Sequence, residues 1–157
     1  MVRKMDGGWR MCGEYRRLNS VTMFHCFPLP RLDEALDAFA GATFFSSLDL
    51  AITYQQVPVK PADVEKPAFI THVDLYEKMK MLFCLCNPPS TDQRLMMNVL
   101  QGMNRRICLA YLDDFIDFSK RRDEQVNDLR AVLHRIRDAG LKQKPAKCKL
   151  FCEQVLY

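Results

Sequence analysis

Two short apolar runs, Ile107 to Ala110 and Phe115 to Phe118, flank Tyr111-Leu112-Asp113-Asp114. Runs of strand length around a polar tip predict a β-hairpin. Phe44-Phe45-Ser46-Ser47-Leu48-Asp49-Leu50 is another β-prone run, so strands are predicted over 43–49 and 54–59, with two further ones over 67–71 and 76–82. Helical spacing of Leu32, Ala35, Leu36 and Phe39, with Gly41 as a stop, predicts a short helix over 31–40. Met96, Val99, Leu100 and Met103 predict a helix entered after Pro88-Pro89-Ser90, and Val126, Leu129, Leu133 and Ile136 predict the last one, stopped at Gly140. These stripes read as core. Helices packed on one face of an antiparallel sheet follow, an α/β chain of the α+β kind.

With 157 residues, 48% of them hydrophobic, the chain can bury a single core. No repeat, low-complexity stretch or linker divides it. A net charge of +4 permits a nucleic-acid partner without demanding one. The basic residues gather at the ends: Arg3, Lys4, Arg10, Arg16 and Arg17 at one, Lys142, Lys144, Lys147 and Lys149 at the other. Either group is a solvated face or a phosphate contact. The seven cysteines are odd in number and scattered, no secretory segment precedes them, and no apolar run approaches the roughly 18 residues of a membrane span. An intracellular setting is expected, cytoplasmic or nuclear, with no membrane and no secretion. Cys84 with Cys86 and Cys148 with Cys152 lack the Cys-x-x-Cys pairing and nearby histidines of a zinc site, and His25, His72 and His134 stand apart from one another.

The adjacent carboxylates Asp113 and Asp114 carry the chemistry. Like charges at a hairpin tip repel, and protonation or a bound cation relieves the repulsion. Mg²⁺ favours such hard oxygens and usually takes one or two carboxylates, leaving room for substrate phosphates. An Asp-Asp tip is also at home as a plain solvated turn. Asp49 supplies a second acidic position far upstream, at the end of its own apolar run, where a different strand can bring it to the first pair.

The chain resembles the reverse transcriptases of retroviruses and of gypsy-class long-terminal-repeat retrotransposons. Trp9-Arg10 with Tyr15-Arg16-Arg17-Leu18-Asn19 resembles the fingers motif, and Phe27-Pro28-Leu29-Pro30-Arg31-Leu32-Asp33 the entry to the palm. Leu48-Asp49-Leu50-Ala51 with Tyr54 and Gln56 resembles the first catalytic motif; Phe83, Leu85-Cys86-Asn87-Pro88 and Gln93-Arg94-Leu95-Met96 the second; Tyr111 to Asp114 the third. Lys144-Pro145, Lys147-Cys148, Val155 and Tyr157 resemble the next block. The order is collinear, which makes the set far more specific than any one tetrapeptide.

The resemblance implies a polymerase palm, an antiparallel sheet packed on helices, with partial fingers. Residues 1–42 would be partial fingers and the entry to the palm, 43–59 the palm motif with the first catalytic aspartate, 60–90 the fingers return and nucleotide-pocket loop, and 91–157 the palm with the Tyr-Leu-Asp-Asp hairpin. It implies RNA-directed DNA polymerisation with two Mg²⁺ ions, or Mn²⁺ in their place, on an RNA or DNA template with a DNA primer and a deoxynucleoside triphosphate. Asp49 and Asp113 would bridge the metals, with Asp114 a weaker ligand because neighbours on an extended strand face opposite ways. Arg3 and Arg10 would clamp the triphosphate, Leu50 and Ala51 would offer backbone to it, Tyr54 would exclude a ribose 2′-hydroxyl, Phe83 would line the same pocket, and Lys147 is the candidate general acid. The thumb, connection and ribonuclease H regions of a parent polyprotein are not in this stretch. A catalytically inactive relic or a nucleic-acid-binding module is the alternative; a two-metal nuclease leaves Tyr54 and Arg10 without a role.

Several positions depart from the family pattern. Cys84 and Asp74 replace usual glycines, which predicts backbone strain. Ile52-Thr53 replaces Ser-Gly, Gln55 a tryptophan, Asp92 a phenylalanine and Asp117 an aliphatic residue. The last two predict carboxylates in the core.

Overall fold

The computed structural model describes residues 2–3, 7–10, 12–28, 31, 36–111 and 114–154. Its elements in chain order are β1 (Val2–Arg3), β2 (Trp9–Arg10), α1 (Arg16–Val21), β3 (Phe44–Asp49), β4 (Phe69–Ile70), β5 (Leu75–Tyr76), α2 (Pro88–Val99), β6 (Cys108–Tyr111), β7 (Asp114–Ser119), α3 (Arg122–Asp138) and β8 (Lys149–Cys152). Two compact units divide them: Met1–His25 with Tyr54–Pro89, and Cys26–Thr53 with Ser90–Tyr157.

The first unit is built from two small antiparallel ribbons, β1 with β2 and β4 with β5. Side chains stitch the rest. Tyr15 is buried and its hydroxyl donates to the Pro67 carbonyl at 2.8 Å; a side chain in place of Gly13 would collide with its ring. Asn19 donates to the Cys84 carbonyl at 2.9 Å and accepts from the Cys86 amide at 3.0 Å. Asn87 repeats the device, donating to the Met23 carbonyl and accepting from the His25 amide. Two amide side chains thus hold the 84–87 loop, each bonding backbone through both ends.

The second unit carries a four-stranded sheet in the order β6-β7-β3-β8, with neighbours antiparallel. Alternation along β3 sends Ser46 and Leu48 to one face, where they meet Asp117 and Phe115 of β7 in register. On that face Leu48, Phe115 and Ala110 form the core with Met96 and Leu100 at the α2 end and Leu129, Val132 and Ile136 of α3. Full burial of Leu48 or Phe115 contributes about 1.5–3 kcal/mol each. The opposite face holds a smaller cluster, Leu109 and Phe118 with Phe39 and Phe45, in which the Phe39 ring meets Phe118 edge-on at 5.0 Å.

The two hairpin strands, β3 and α3 appear where the hydrophobic pattern places them, whereas α2 already begins at Pro88 and ends at Val99, leaving Leu100 and Met103 of its expected stripe in the turn beyond. Residues 36–38 are helical, and 32–35 of the short helix expected over 31–40 lie outside the described residues. Pro88 and Pro89 occupy the first turn of α2, where a missing amide hydrogen costs nothing. Gly140, at φ 71°, ends α3: its amide donates to Arg137, and the Leu141 amide reaches back to Ile136.

Other expectations are corrected. Residues 54–59 are not a regular strand: Thr53–Gln56 is a 3-10 turn, and only Pro58 bridges, to Lys80. The cause lies one step earlier, where Ile52 takes φ 53° and turns the chain. The strand expected over 76–82 shrinks to Leu75–Tyr76, with Met79 and Met81 exchanging backbone hydrogen bonds with 57–59. Strain does not fall on Asp74 or Cys84: among the described non-glycine residues positive φ occurs at Ile52, Arg105 and Phe151. Asp74 instead closes a turn with Thr71 and caps the Leu75 amide. Val126, expected in the core stripe of α3, is 40% exposed, and Gln125 is fully buried in its stead.

Asp117 explains that rotation. Buried as expected, as is Asp92, it faces Cys108 of β6 and Ser46 of β3. Gln125 Nε2 donates to Asp117 Oδ1 and to Ser46 Oγ, both at 2.9 Å, and Ser119 Oγ donates to Asp128 Oδ2 at 2.7 Å. Asp117 Oδ2 and Gln125 Oε1 accept no hydrogen bond from any described residue. Burial, and after it the Asp128 carboxylate, pushes Asp117 up to about 7, while the Gln125 bond pulls the other way. Protonation removes the buried charge and turns Oδ2 from an acceptor without a partner into a donor.

Two predictions follow from this packing. Folded Asp117 keeps its proton to about pH 7, whereas the unfolded chain releases it near the ordinary 3.8. Between those values the native state binds more protons, so stability is full below the window and falls as pH rises through it, by at most about 1.4 kcal/mol per pH unit. Denaturant unfolding at about pH 5 and about pH 8 should show the loss, and Asp117→Asn should flatten it. Ile52 is 68% exposed, so Ile52→Gly sacrifices little packing while relieving the positive φ. Thermal melts should show a gain of about 1 kcal/mol.

Candidate active site

Asp49 is the last residue of β3, and its register partner is Asp114, the first residue of β7. Both stand on the sheet face away from α2 and α3, because Leu48 and Phe115 beside them face the core. Like charges directly opposed across an antiparallel pair repel. Although the sequence ranks Asp114 behind Asp113, it is Asp114 that lies across from Asp49. The hairpin tip, Leu112-Asp113, lies outside the described residues.

The chain after α3 closes over this end of β3. The Ala51 amide donates to the Lys142 carbonyl at 2.9 Å, Leu50 bridges Gln143, and the Lys144 amide donates to the Asp49 carbonyl at 2.9 Å. A 3-10 turn over Pro145–Lys147 then brings Lys147 Nζ to 3.0 Å from Asp49 Oδ2. Beyond it β8 pairs with β3 through a bulge: Ser47 faces Lys149 and Phe45 faces Cys152, with Phe151 at φ 55° and its amide on Ser46 Oγ. Ser47, Asp49, Asp114, Lys147, Cys148 and Cys152 line an open cleft of about 500 Å³. Among the described residues no three acidic, histidine or cysteine side chains form a ready metal cluster. Asp49 and Asp114 nonetheless supply hard oxygen donors on one open surface, a donor set that suits a hard divalent cation.

The remaining site residues divide between the units. Leu50 is buried in the core of the second unit. Ala51, expected to offer backbone to a triphosphate, gives its amide to the Lys142 carbonyl, where segment 142–144 runs along β3. In the first unit Tyr54 and Phe83 are brought together, ring centroids 5.6 Å apart and tilted by 43°. Tyr54 is 7% exposed and Phe83 56%. Arg3 and Arg10 share the β1–β2 ribbon, Arg3 across from Trp9 and Arg10 across from Val2. Ser47 is not singled out by the sequence, and Cys148 and Cys152, which the sequence weighs only as zinc ligands or block residues, line the cleft as well. Alternation from Asp49 would have found Ser47, two residues back on one face; nothing local announces the pairing that delivers the cysteines.

A family model described as Reverse transcriptase (RNA-dependent DNA polymerase) matches residues 2–157. The retrovirus-related Pol polyprotein from transposon 297 of Drosophila melanogaster is 36% identical over 141 residues, 90% of this chain and 13% of that protein. The enzymatic polyprotein of soybean chlorotic mottle virus is 36% identical over 153 residues, 96% of this chain and 22% of that protein. The chain therefore spans less than a quarter of either relative. Among solved structures, the foamy viral protease-reverse transcriptase in complex with double-stranded DNA matches with a TM-score of 0.87 at 19% identity, over 99% of this chain and 27% of that one. The same kind of enzyme in complex with an RNA/DNA hybrid matches with a TM-score of 0.84 at 19% identity, over 95% and 20%. At such identities the likeness is one of fold.

Lys147 offsets part of the repulsion between the opposed carboxylates, so Asp114→Asn should stabilise the chain by only about 0.2 kcal/mol at low ionic strength and by less in about 1 M salt. Urea unfolding of the two chains at both salt concentrations checks this.

Proposed function

The chain belongs to the reverse transcriptase (RNA-dependent DNA polymerase) family, and on that premise we propose that it is the fingers and palm portion of an RNA-directed DNA polymerase within a retrotransposon polyprotein. Its reaction would join a deoxynucleotide to a primer 3′-hydroxyl on an RNA or DNA template. One observation carries the reading: Asp49 and Asp114 stand opposed in register on an open cleft. The relatives solved with double-stranded DNA and with an RNA/DNA hybrid support the choice of partner.

Asp49, Asp113 and Asp114 would hold two divalent cations, Mg²⁺ or Mn²⁺. Cations so bound supply charge stabilisation to the attacking and leaving oxygens of an in-line displacement at the α-phosphate. The chain's own groups do the rest. Lys147 would hold a proton at Nζ for the departing pyrophosphate, a contribution of typically 10²- to 10⁴-fold. The Tyr54 and Phe83 rings would form the nucleotide's wall, and an apolar ring offers a 2′-hydroxyl neither room nor a partner. Arg3 and Arg10 would contact phosphate, where a planar guanidinium bonds two oxygens at once. Leu50 would offer backbone to the triphosphate while its side chain stays in the core.

The test is thermal stability of the chain with primer and template, titrated with Mg²⁺ and a deoxynucleoside triphosphate separately and together. The unmutated chain should gain about 2.7 kcal/mol at a hundredfold ligand excess over Kd. An Asp49→Asn, Asp113→Asn double variant should gain nothing from the pair. Equal responses in both chains would point to an inactive relic or a plain nucleic-acid-binding module instead.

A further inference from the structure

We infer that Lys147 is the resident counter-ion of the carboxylate cleft: its ammonium holds the cation's place on Asp49, and a divalent cation binding there releases it. The inference rests on the metal-binding reading of Asp49. It goes further, because it gives Lys147 two states and makes cation loading the event that switches between them.

The pair is built by the fold. Asp49 is gripped twice by one short loop, its carbonyl accepting the Lys144 amide at 2.9 Å and its carboxylate meeting Lys147 Nζ at 3.0 Å. Between these contacts the Pro145–Lys147 turn, closed by the Lys147 amide on the Lys144 carbonyl, fixes how far the lysine stem must reach. A cation is also what this place requires. Asp114 lies directly across from Asp49, and an ammonium on Asp49 relieves the repulsion between the two carboxylates.

The pair is also exchangeable. The Lys147 and Asp49 side chains are 56% and 26% exposed, so water screens the attraction and covers both groups when they part. A divalent cation carries twice the charge and demands close oxygen coordination, so it and the ammonium repel each other on one carboxylate. Loading the cleft therefore frees Lys147 while its backbone anchor stays in place. A proton donor would then reach substrate phosphates only in a cleft that is already loaded.

Lysine-selective isotopic methylation read by mass spectrometry tests this on the unmodified chain, with Mn²⁺ as the probe and its binding followed independently by electron paramagnetic resonance. Saturating Mn²⁺ should raise the labelling rate of Lys147 several-fold, with Lys142 and Lys149 as internal references. In Asp49→Asn, Lys147 should label fast with or without Mn²⁺. Lys147→Met should bind Mn²⁺ about fivefold more tightly, the equivalent of about 1 kcal/mol, the upper range for an exposed pair. If Mn²⁺ binds through Asp49 yet the Lys147 rate is unchanged or lower, the inference is overturned while the metal reading stands, whatever affinity Lys147→Met shows. If no Mn²⁺ binding depends on Asp49, both fall.

Discussion

Six consecutive register pairs between β3 and β7, from Phe44 with Ser119 to Asp49 with Asp114, are the constraint on which the second unit depends. Side chains alternate with a period of two, so a slip of one residue would exchange the faces of either strand. Leu48 and Phe115 would then leave the core, and the acids would enter it. Burial of those two side chains holds the register, and the register alone sets Asp49 across from Asp114. Core packing on one face thus determines the chemistry of the other.

The opposite edge of β3 is irregular. Phe151 lies in the left-handed region, one extra residue separates the two β8 pairings, and Ser46 Oγ accepts both the Phe151 amide and the Gln125 amide group. Ser46 therefore joins the bulge that aims β8 to the network that buries Asp117. A polar residue in the middle of a core strand is costly unless its partners are supplied, and here they come from two elements distant in sequence. Asp117 itself is incompletely matched, since its Oδ2 has no hydrogen-bond partner among the described residues.

Regular elements were legible because their periodicity and punctuation agreed. Leu129 and Ile136 with Gly140 mark α3, and Pro88-Pro89 marks the start of α2. Legibility failed where a tertiary partner overruled the local pattern. Val126 suits the apolar stripe of α3 better than Gln125 does, yet the buried Asp117 needs an amide, and the helix turns to deliver it. Residues 54–59 alternate plausibly as a strand, but the turn at Ile52 and the missing amide hydrogen of Pro58 prevent a ladder. In the candidate site, the pairing of Asp49 with Asp114 was legible from acids at the ends of two apolar runs. The reach of Lys147 to Asp49 was not, since it spans 98 positions and is set by a 3-10 turn and a bulge.

The cysteines acquire different characters from their places in the fold. Cys108 is wholly buried on β6, and burial pushes its thiol up to about 12. Cys148 and Cys152 are half-buried and stand in the wall of the cleft beside Asp49 and Lys147. Thiol chemistry on the folded chain would thus spare the interior sulfur, while the cleft thiols compete for reagent with exposed Cys12 and Cys26. A bulky adduct there would fill volume beside the carboxylates while leaving the β3–β7 ladder untouched. In a chain with Cys12 and Cys26 replaced by serine, such an adduct would set the cleft apart from the core as a chemical address.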